Sequence, residues 1–275
     1  MRILVTNDDG IDSIGLHVLA RAMRPFGDVV IVAPNTEYSG AGAALGALHL
    51  IQPEVRKARV EGIDESWAVT GPPALCAMFA RLGAFGRPFD LLVSGINPGV
   101  NVGRSVYHSG TVGAALTARN GGISGVAVSQ AVSGFGVEGQ GWDEMLANQH
   151  WDSAASVAAA VVSGLIANPP ASPVVVNVNV PDLPLEEIIG CRRAIVGSAP
   201  PRAMSVAALE PKVGHDDAFY VRMSWGDAVM LPPETDGGTV EEGFVAITYL
   251  SRFVDDGPAE LTPAEQAVLD LLDTP

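Results

Sequence analysis

Hydrophobic and polar positions alternate along the first half of the chain in blocks of two kinds. Residues 2–6 form a short apolar strand, and Ile14, Val18, Leu19, Ala22 and Met23 then recur at helical spacing until Pro25 ends the run. The run DVVIVA at 28–33 is continuous and β-branched, which predicts a strand buried on both faces of a parallel sheet. Pro72-Pro73 opens a second helix with Leu75, Met78, Phe79 and Leu82 on one stripe. A third buried strand spans 89–93, a helix 111–119 and a further strand 125–129. Strands that alternate with helices predict an α/β fold, a mostly parallel sheet with helices on both faces.

Residues 131–151 are glycine-rich and polar and read as a surface loop, followed by a helix over 152–167 and the strand VVVNVNV at 174–180. From about Cys191 to Gly238 the character changes. Proline and glycine become frequent, and the apolar segments 219–223 and 228–231 predict a β-hairpin or arm. Residues 243–250 return to a strand pattern. Thr262-Pro263-Ala264-Glu265 starts a C-terminal helix with an N-cap, a first-turn proline and a capping-box glutamate. The predicted organisation is a core at 1–190, an arm at 191–238, and a returning strand with the C-terminal helix at 239–275.

Composition narrows the function. The chain has 275 residues, is 48% hydrophobic and carries a formal net charge of −15. Such an acidic chain lacks the basic footprint for tracking nucleic acid polymers. It would also repel an anionic substrate unless a local cation inverts the field. No stretch approaches the roughly 20 apolar residues of a membrane span. The N-terminus runs straight into a strand without a secretory leader pattern. Cys76 and Cys191 sit among apolar neighbours and read as buried free thiols, so the expected location is the cytoplasm.

In open α/β sheets ligands bind beyond the carboxyl ends of the strands, so the residues after each strand are the candidates. Thr6-Asn7-Asp8-Asp9-Gly10 follows the first, Asn35 to Gly40 the second, and Ser94 to Gly103 the third. Asp8-Asp9-Gly10 reads either as a turn preceding a helix or as a cation site. Two carboxylates held about 4–5 Å apart at a partly buried strand end would repel by roughly 3–4 kcal/mol at an effective dielectric near 20. One must then hold a proton, or a cation must sit between them. Asp8 and Asp9 with a serine hydroxyl and an asparagine carbonyl make an all-oxygen set suited to Mg²⁺ or Mn²⁺. Ser109-Gly110-Thr111 at a helix start offers an anion cradle of hydroxyl and N–H groups. No Walker lysine signature is present in these loops, and Gly95-Ile96-Asn97-Pro98-Gly99 fails the dinucleotide fingerprint.

These residues carry a resemblance. Asn7-Asp8-Asp9-Gly10, Ser39-Gly40, Ser94-Gly95-Ile96-Asn97 with Gly99, Asn101 and Gly103, and Ser109-Gly110-Thr111-Val112 occur in order, as do Val178-Asn179-Val180-Pro181, Thr235-Asp236 and Glu242-Gly243-Phe244-Val245. The chain resembles the SurE family of survival proteins, 5′/3′-nucleotidases and acid-type phosphatases. The resemblance implies a Rossmann-like core, a C-terminal β-arm exchanged between subunits, and homodimers or homotetramers. It implies one divalent cation per subunit at Asp8, Asp9, Ser39 and Asn97, and phosphate contacts from Asn97, Asn101, Ser109, Gly110 and Thr111. The implied reaction is hydrolysis of nucleoside monophosphates by metal-activated water, with Asp8 or Asp9 as base or nucleophile.

The chain departs from the family pattern at Arg104-Ser105, at His108, at Tyr38, and at Gly71 to Cys76, where the usual Thr and Asp are absent. These changes bear on substrate preference more than on chemistry. His108 reads either as a general acid or as a histidine bonded to loop backbone. Two rival functions stand beside nucleotidase: a phosphatase for another small ester or short polyphosphate, and a nucleotide-binding protein without turnover.

Overall fold

The computed structural model describes residues 1–134, 142–200, 204–251 and 262–272. In chain order the elements are β1 (Arg2–Thr6), α1 (Ile14–Met23), β2 (Asp28–Pro34), β3 (Val55–Lys57), β4 (Glu65–Val69), α2 (Pro73–Arg81), β5 (Leu91–Pro98), α3 (Gly110–Asn120) and β6 (Ser124–Gln130). They continue with α4 (Trp142–Leu146), α5 (Trp151–Ala167), β7 (Val175–Val180), β8 (Gly190–Arg193), β9 (Met204–Pro211), β10 (Phe219–Trp225), α6 (Asp236–Glu241), β11 (Phe244–Leu250) and α7 (Pro263–Leu272).

Among the described residues, nine strands form one sheet in the order β3-β4-β2-β1-β5-β6-β7-β11-β8. The six from β4 to β7 are parallel; β3 and β11 each join a neighbour antiparallel. The alternation within β1 shows how the sheet divides two cores. Ile3 and Val5 pack on one face with Leu16, Leu19 and Met23 of α1 and Ala154, Ala158 and Val162 of α5. Leu4 packs on the other with Cys76 and Ala80 of α2 and Val112 and Ala115 of α3. A strand buried on both sides needs apolar residues at every position, which explains the unbroken run of β2. Chain order reverses at the β1–β5 boundary, the point where such sheets bind ligands.

Several boundaries differ from the sequence expectation. The strand expected at 89–93 is β5, which runs on to Pro98 because pairing with β6 resumes at Asn97 and Ser129 after a shift in register. The buried face of α1 consists of Gly15, Leu16, Leu19, Ala20 and Met23, whereas Ile14 is exposed. Gly15 belongs to that face because α1 crosses the end of β5 closely: a Cβ there would lie 2.2 Å from the carbonyl oxygen of Ile96. Gly15→Ala should therefore lose about 1–3 kcal/mol through overpacking, measurable as a lowered midpoint in urea. Leu82 is likewise exposed, outside the packed stripe of α2. Cys191 is exposed too, because β8 is the edge strand; Cys76 is buried.

The arm is a two-stranded ribbon of β9 and β10, so the partner of 219–223 is Met204–Pro211 and not 228–231. Gly190–Arg193, at the start of the segment expected to form the arm, is β8 of the main sheet. The ribbon register puts Ala207, Leu209 and Pro211 on the face of Phe219, Val221 and Met223, opposite an ion pair of Glu210 with Arg222 at 3.1 Å. Leu209, Phe219, Val221 and Met223 are all exposed. α7 begins as expected, with Thr262 and Glu265 exchanging capping bonds. Among the described residues, no helix is long and apolar enough to cross a membrane.

Candidate active site

The chain leaves β1 in a turn built by its own polar groups. The buried Asn7 side chain donates to Gly10 O at 3.1 Å and to Ser13 Oγ at 2.7 Å, and Ser13 in turn caps α1 through the Leu16 N–H. Gly10 has φ +101°, a conformation L residues rarely adopt. The turn aims Asp8 and Asp9 into the space beyond the sheet. Tyr38 N–H donates to Asp8 O at 2.7 Å, bringing the loop after β2, with Ser39, alongside.

Asp8 is buried, and both of its carboxylate oxygens are engaged. Gly110 N–H donates to Oδ2 at 3.1 Å, and the Thr111 hydroxyl donates to Oδ1. Asp9 differs: its Oδ2 is buried and has no hydrogen-bond partner. Burial pushes the Asp8 carboxyl above the usual range against the pull of those bonds. Asp9 is pushed up to about 8, first by burial and then by the neighbouring charges of Asp8 and Glu37.

Asn97, next to last in β5, has its Nδ2 donating to Gly99 O at 2.6 Å, which leaves the carbonyl oxygen as its acceptor end. Asn101 is held from below by the sheet. Its N–H donates to Asn179 Oδ1 at 2.7 Å, its carbonyl accepts from Asn177 and Asn179, and its Nδ2 donates to Ser129 Oγ at 2.8 Å. Ser109 caps α3 by accepting Val112 N–H at 3.1 Å.

Asp8, Asp9, Ser39, Asn97, Asn101, His108 and Ser109 all line one cavity of about 1270 Å³. That volume exceeds a phosphate group and suits a nucleotide-sized ligand. Gly110 and Thr111, expected to contact phosphate, do not line it: their N–H and hydroxyl hold Asp8 instead. The reason is geometric, since α3 starts directly against Asp8, and a Cβ at Gly110 would lie 2.7 Å from Asp8 Cβ. Arg104 is exposed and also lies outside the lining, whereas His108 is exposed within it. Glu37, in the candidate loop after β2, also lines the cavity, whereas sequence reasoning missed Trp142 and Asp182 as lining groups. Asp182 pairs with His150 Nδ1 at 2.9 Å and accepts from Ser133 at 3.1 Å. Nothing local in the sequence marked them.

Among the described residues, no three His, Cys, Asp or Glu side chains cluster to hold a metal. The donors present are two carboxylates with neutral hydroxyl and amide oxygens. An unpartnered, buried carboxylate oxygen next to a second carboxylate fits a hard divalent cation.

Fold and site together define a doubly wound α/β protein whose ligand site spans the carboxyl ends of β1, β2 and β5. The chain belongs to the SurE family: the family model "Survival protein SurE" matches residues 3–201. The 5′/3′-nucleotidase SurE of Erwinia tasmaniensis is 35% identical over 251 residues, 91% of this chain and 90% of that protein. The protein of the same name from Salmonella arizonae is 37% identical with the same coverage. The crystal structure of the SurE protein from Aquifex aeolicus superimposes with a TM-score of 0.70 at 27% identity, covering 99% of this chain and 100% of that one.

Proposed function

We propose that this chain is a divalent-cation-dependent phosphomonoesterase that hydrolyses nucleoside 5′- and 3′-monophosphates to nucleoside and phosphate. The observation that carries the reading is the buried, unpartnered Asp9 Oδ2 beside Asp8 in a nucleotide-sized cavity. The names of the relatives, 5′/3′-nucleotidase SurE, support the substrate class. Asp8, Asp9, Ser39 and Asn97 would hold one Mg²⁺ or Mn²⁺ per subunit. Bound there, the cation supplies charge neutralisation on phosphoryl oxygens and a lowered pKa for bound water.

The chain's own groups divide the remaining work. Gly110 and Thr111 orient Asp8. Asp9, whose carboxylate is not tied to the start of α3 as that of Asp8 is, is the carboxylate suited to take a proton from the attacking water. Asn101 and Ser109 hold the phosphate. His108 at the cavity rim donates a proton to the leaving alcohol. The apolar face of the β9–β10 ribbon is the surface on which a second copy would pair, giving a homodimer or homotetramer, since a lone two-stranded ribbon is marginal in water. Two free thiols suit a reducing cytoplasm.

The test is phosphate release from a panel of 5′- and 3′-nucleotides, other monoesters and short polyphosphate, with and without Mg²⁺ or Mn²⁺. Nucleotides should be hydrolysed, and EDTA should reduce turnover to background, with recovery on re-addition of cation. Undiminished activity in EDTA would sink the cation requirement. Activity confined to other esters would move the substrate class, and tight nucleotide binding without release would make this a binding protein.

A further inference from the structure

Asp236 opens α6 and takes no part in the chemistry above, yet it is fully buried. Its carboxylate gathers N–H groups from three separate segments. Gly103 donates at 3.0 Å to Oδ2 and 3.2 Å to Oδ1, while Gly197 and Gly237 each donate to Oδ1 at 3.0 Å. Its own N–H donates to Ile195 O at 2.8 Å. Gly103 lies in the loop between β5 and α3, and Gly197 in the connection that leads into the arm. A buried carboxylate is tolerated only when several donors solvate it, so the three segments are fixed together or not at all.

The position of Gly103 gives this knot a functional reach. It falls two residues after Asn101 and two before Ser105, and both of those line the cavity, as do His108 and Ser109 further on. The fit is tight: a Cβ at Gly103 would sit 2.4 Å from the carbonyl oxygen of Ala199 at the base of the arm. Asn177 and Asn179 grip the same loop from the sheet side through the backbone of Asn101. The loop is thus held between the sheet amides and one carboxylate on the arm side.

We infer that Asp236 is a positioning residue for hydrolysis: it fixes the 98–109 loop so that Asn101 and Ser109 meet the phosphate opposite Asp8 and Asp9. The base of the arm is thereby part of the catalytic framework. The inference rests on the phosphomonoesterase reading, and the experiment separates the two.

Asp236→Asn is the discriminating variant. With its amide oxygen in the place of Oδ1 it still accepts from Gly197 and Gly237, and its –NH₂ then opposes only Gly103; the reverse placement would oppose two donors. The variant should fold, with a melting temperature lowered by the one N–H it leaves unpaired. Its kcat/KM for 5′-AMP with Mg²⁺ should fall about 10- to 100-fold, as misplaced supporting groups typically cause. KM and the inhibition constant of inorganic phosphate should rise together. Unchanged KM and phosphate inhibition, with kcat reduced only by the folded fraction, would overturn the inference. If the variant does not fold, the parent chain labelled with ¹⁵N decides: the Gly103 amide resonance should move on titration of inorganic phosphate in Mg²⁺, and a stationary resonance overturns the inference. A parent that shows this response yet hydrolyses no nucleotide sinks the substrate reading and leaves the positioning role standing.

Discussion

Asp9→Asn should lose cation-dependent phosphate release from 5′-AMP by a factor on the order of 10³ or more, while the chain stays folded. The variant keeps the shape of the side chain and removes the charge that a cation would neutralise. Asp8→Asn should be as inactive, but it should be less stable than Asp9→Asn. Both Asp8 oxygens accept hydrogen bonds, from Gly110 N–H and the Thr111 hydroxyl, so an amide keeps both contacts only with its –NH₂ toward Thr111, whose hydroxyl must then accept, and both bonds lose their charge assistance. The difference should be about 1–3 kcal/mol, since hydrogen bonds to a charged acceptor are worth more than neutral ones. Asp9 Oδ2 has no such partner to lose. Phosphate release at saturating Mg²⁺ or Mn²⁺, with urea melts of both variants, checks the contrast. Near-parental turnover in either would remove these carboxylates from the chemistry.

That contrast was not legible in the sequence, where Asp8 and Asp9 looked alike. The strand ends were readable because apolar blocks announced β1, β2 and β7 and placed the polar residues just beyond them. The structure brings Asp8, Asp9, Ser39, Asn97, Asn101 and Ser109 to one cavity. What a carboxylate does there depends on partners a hundred residues away, such as Thr111 for Asp8. For the same reason Thr111 looked like a phosphate ligand: a hydroxyl at a helix start is an anion signal until a nearer acceptor takes it.

The fold shows the same division. β4, with its half-buried ESWAV pattern, and the short exposed β3 gave no clear periodic signal; β4 is a strand because β2 offers it an edge, and β3 because β4 in turn offers one. β9, with Ala207-Ala208 in its middle, has weak strand propensity and is defined by pairing with β10. Thr235-Asp236 was recognisable as a family segment, but its use as a three-way knot required Gly103 and Gly197 to arrive from elsewhere.

Function and stability should oppose each other at Asp9 in a way that pH reveals. Its carboxyl is pushed up to about 8 in the folded chain, against an ordinary value of 3.8. Between those values the folded state holds a proton that the unfolded state has released. Stability of the cation-free protein from this group is therefore greatest below about pH 4, falls as pH rises through that window, and levels off above about 8. Asp9→Asn removes the penalty, because an amide carries no charge to bury. In EDTA the variant should match the parent near pH 4.5 and exceed it by about 1–3 kcal/mol at pH 8.5, a discounted figure for an uncompensated buried charge. Carboxylates remote from Asp8, Asp9 and Glu37 cancel in the comparison, so the difference between the two urea midpoints reports on this cluster. Saturating Mg²⁺ should narrow or reverse the gap, since a ligand that binds only the folded parent stabilises it by mass action. A difference that stays flat from pH 4.5 to 8.5 in EDTA would show that Asp9 is not held in a charge-averse setting, and would remove the reason to seat a cation there.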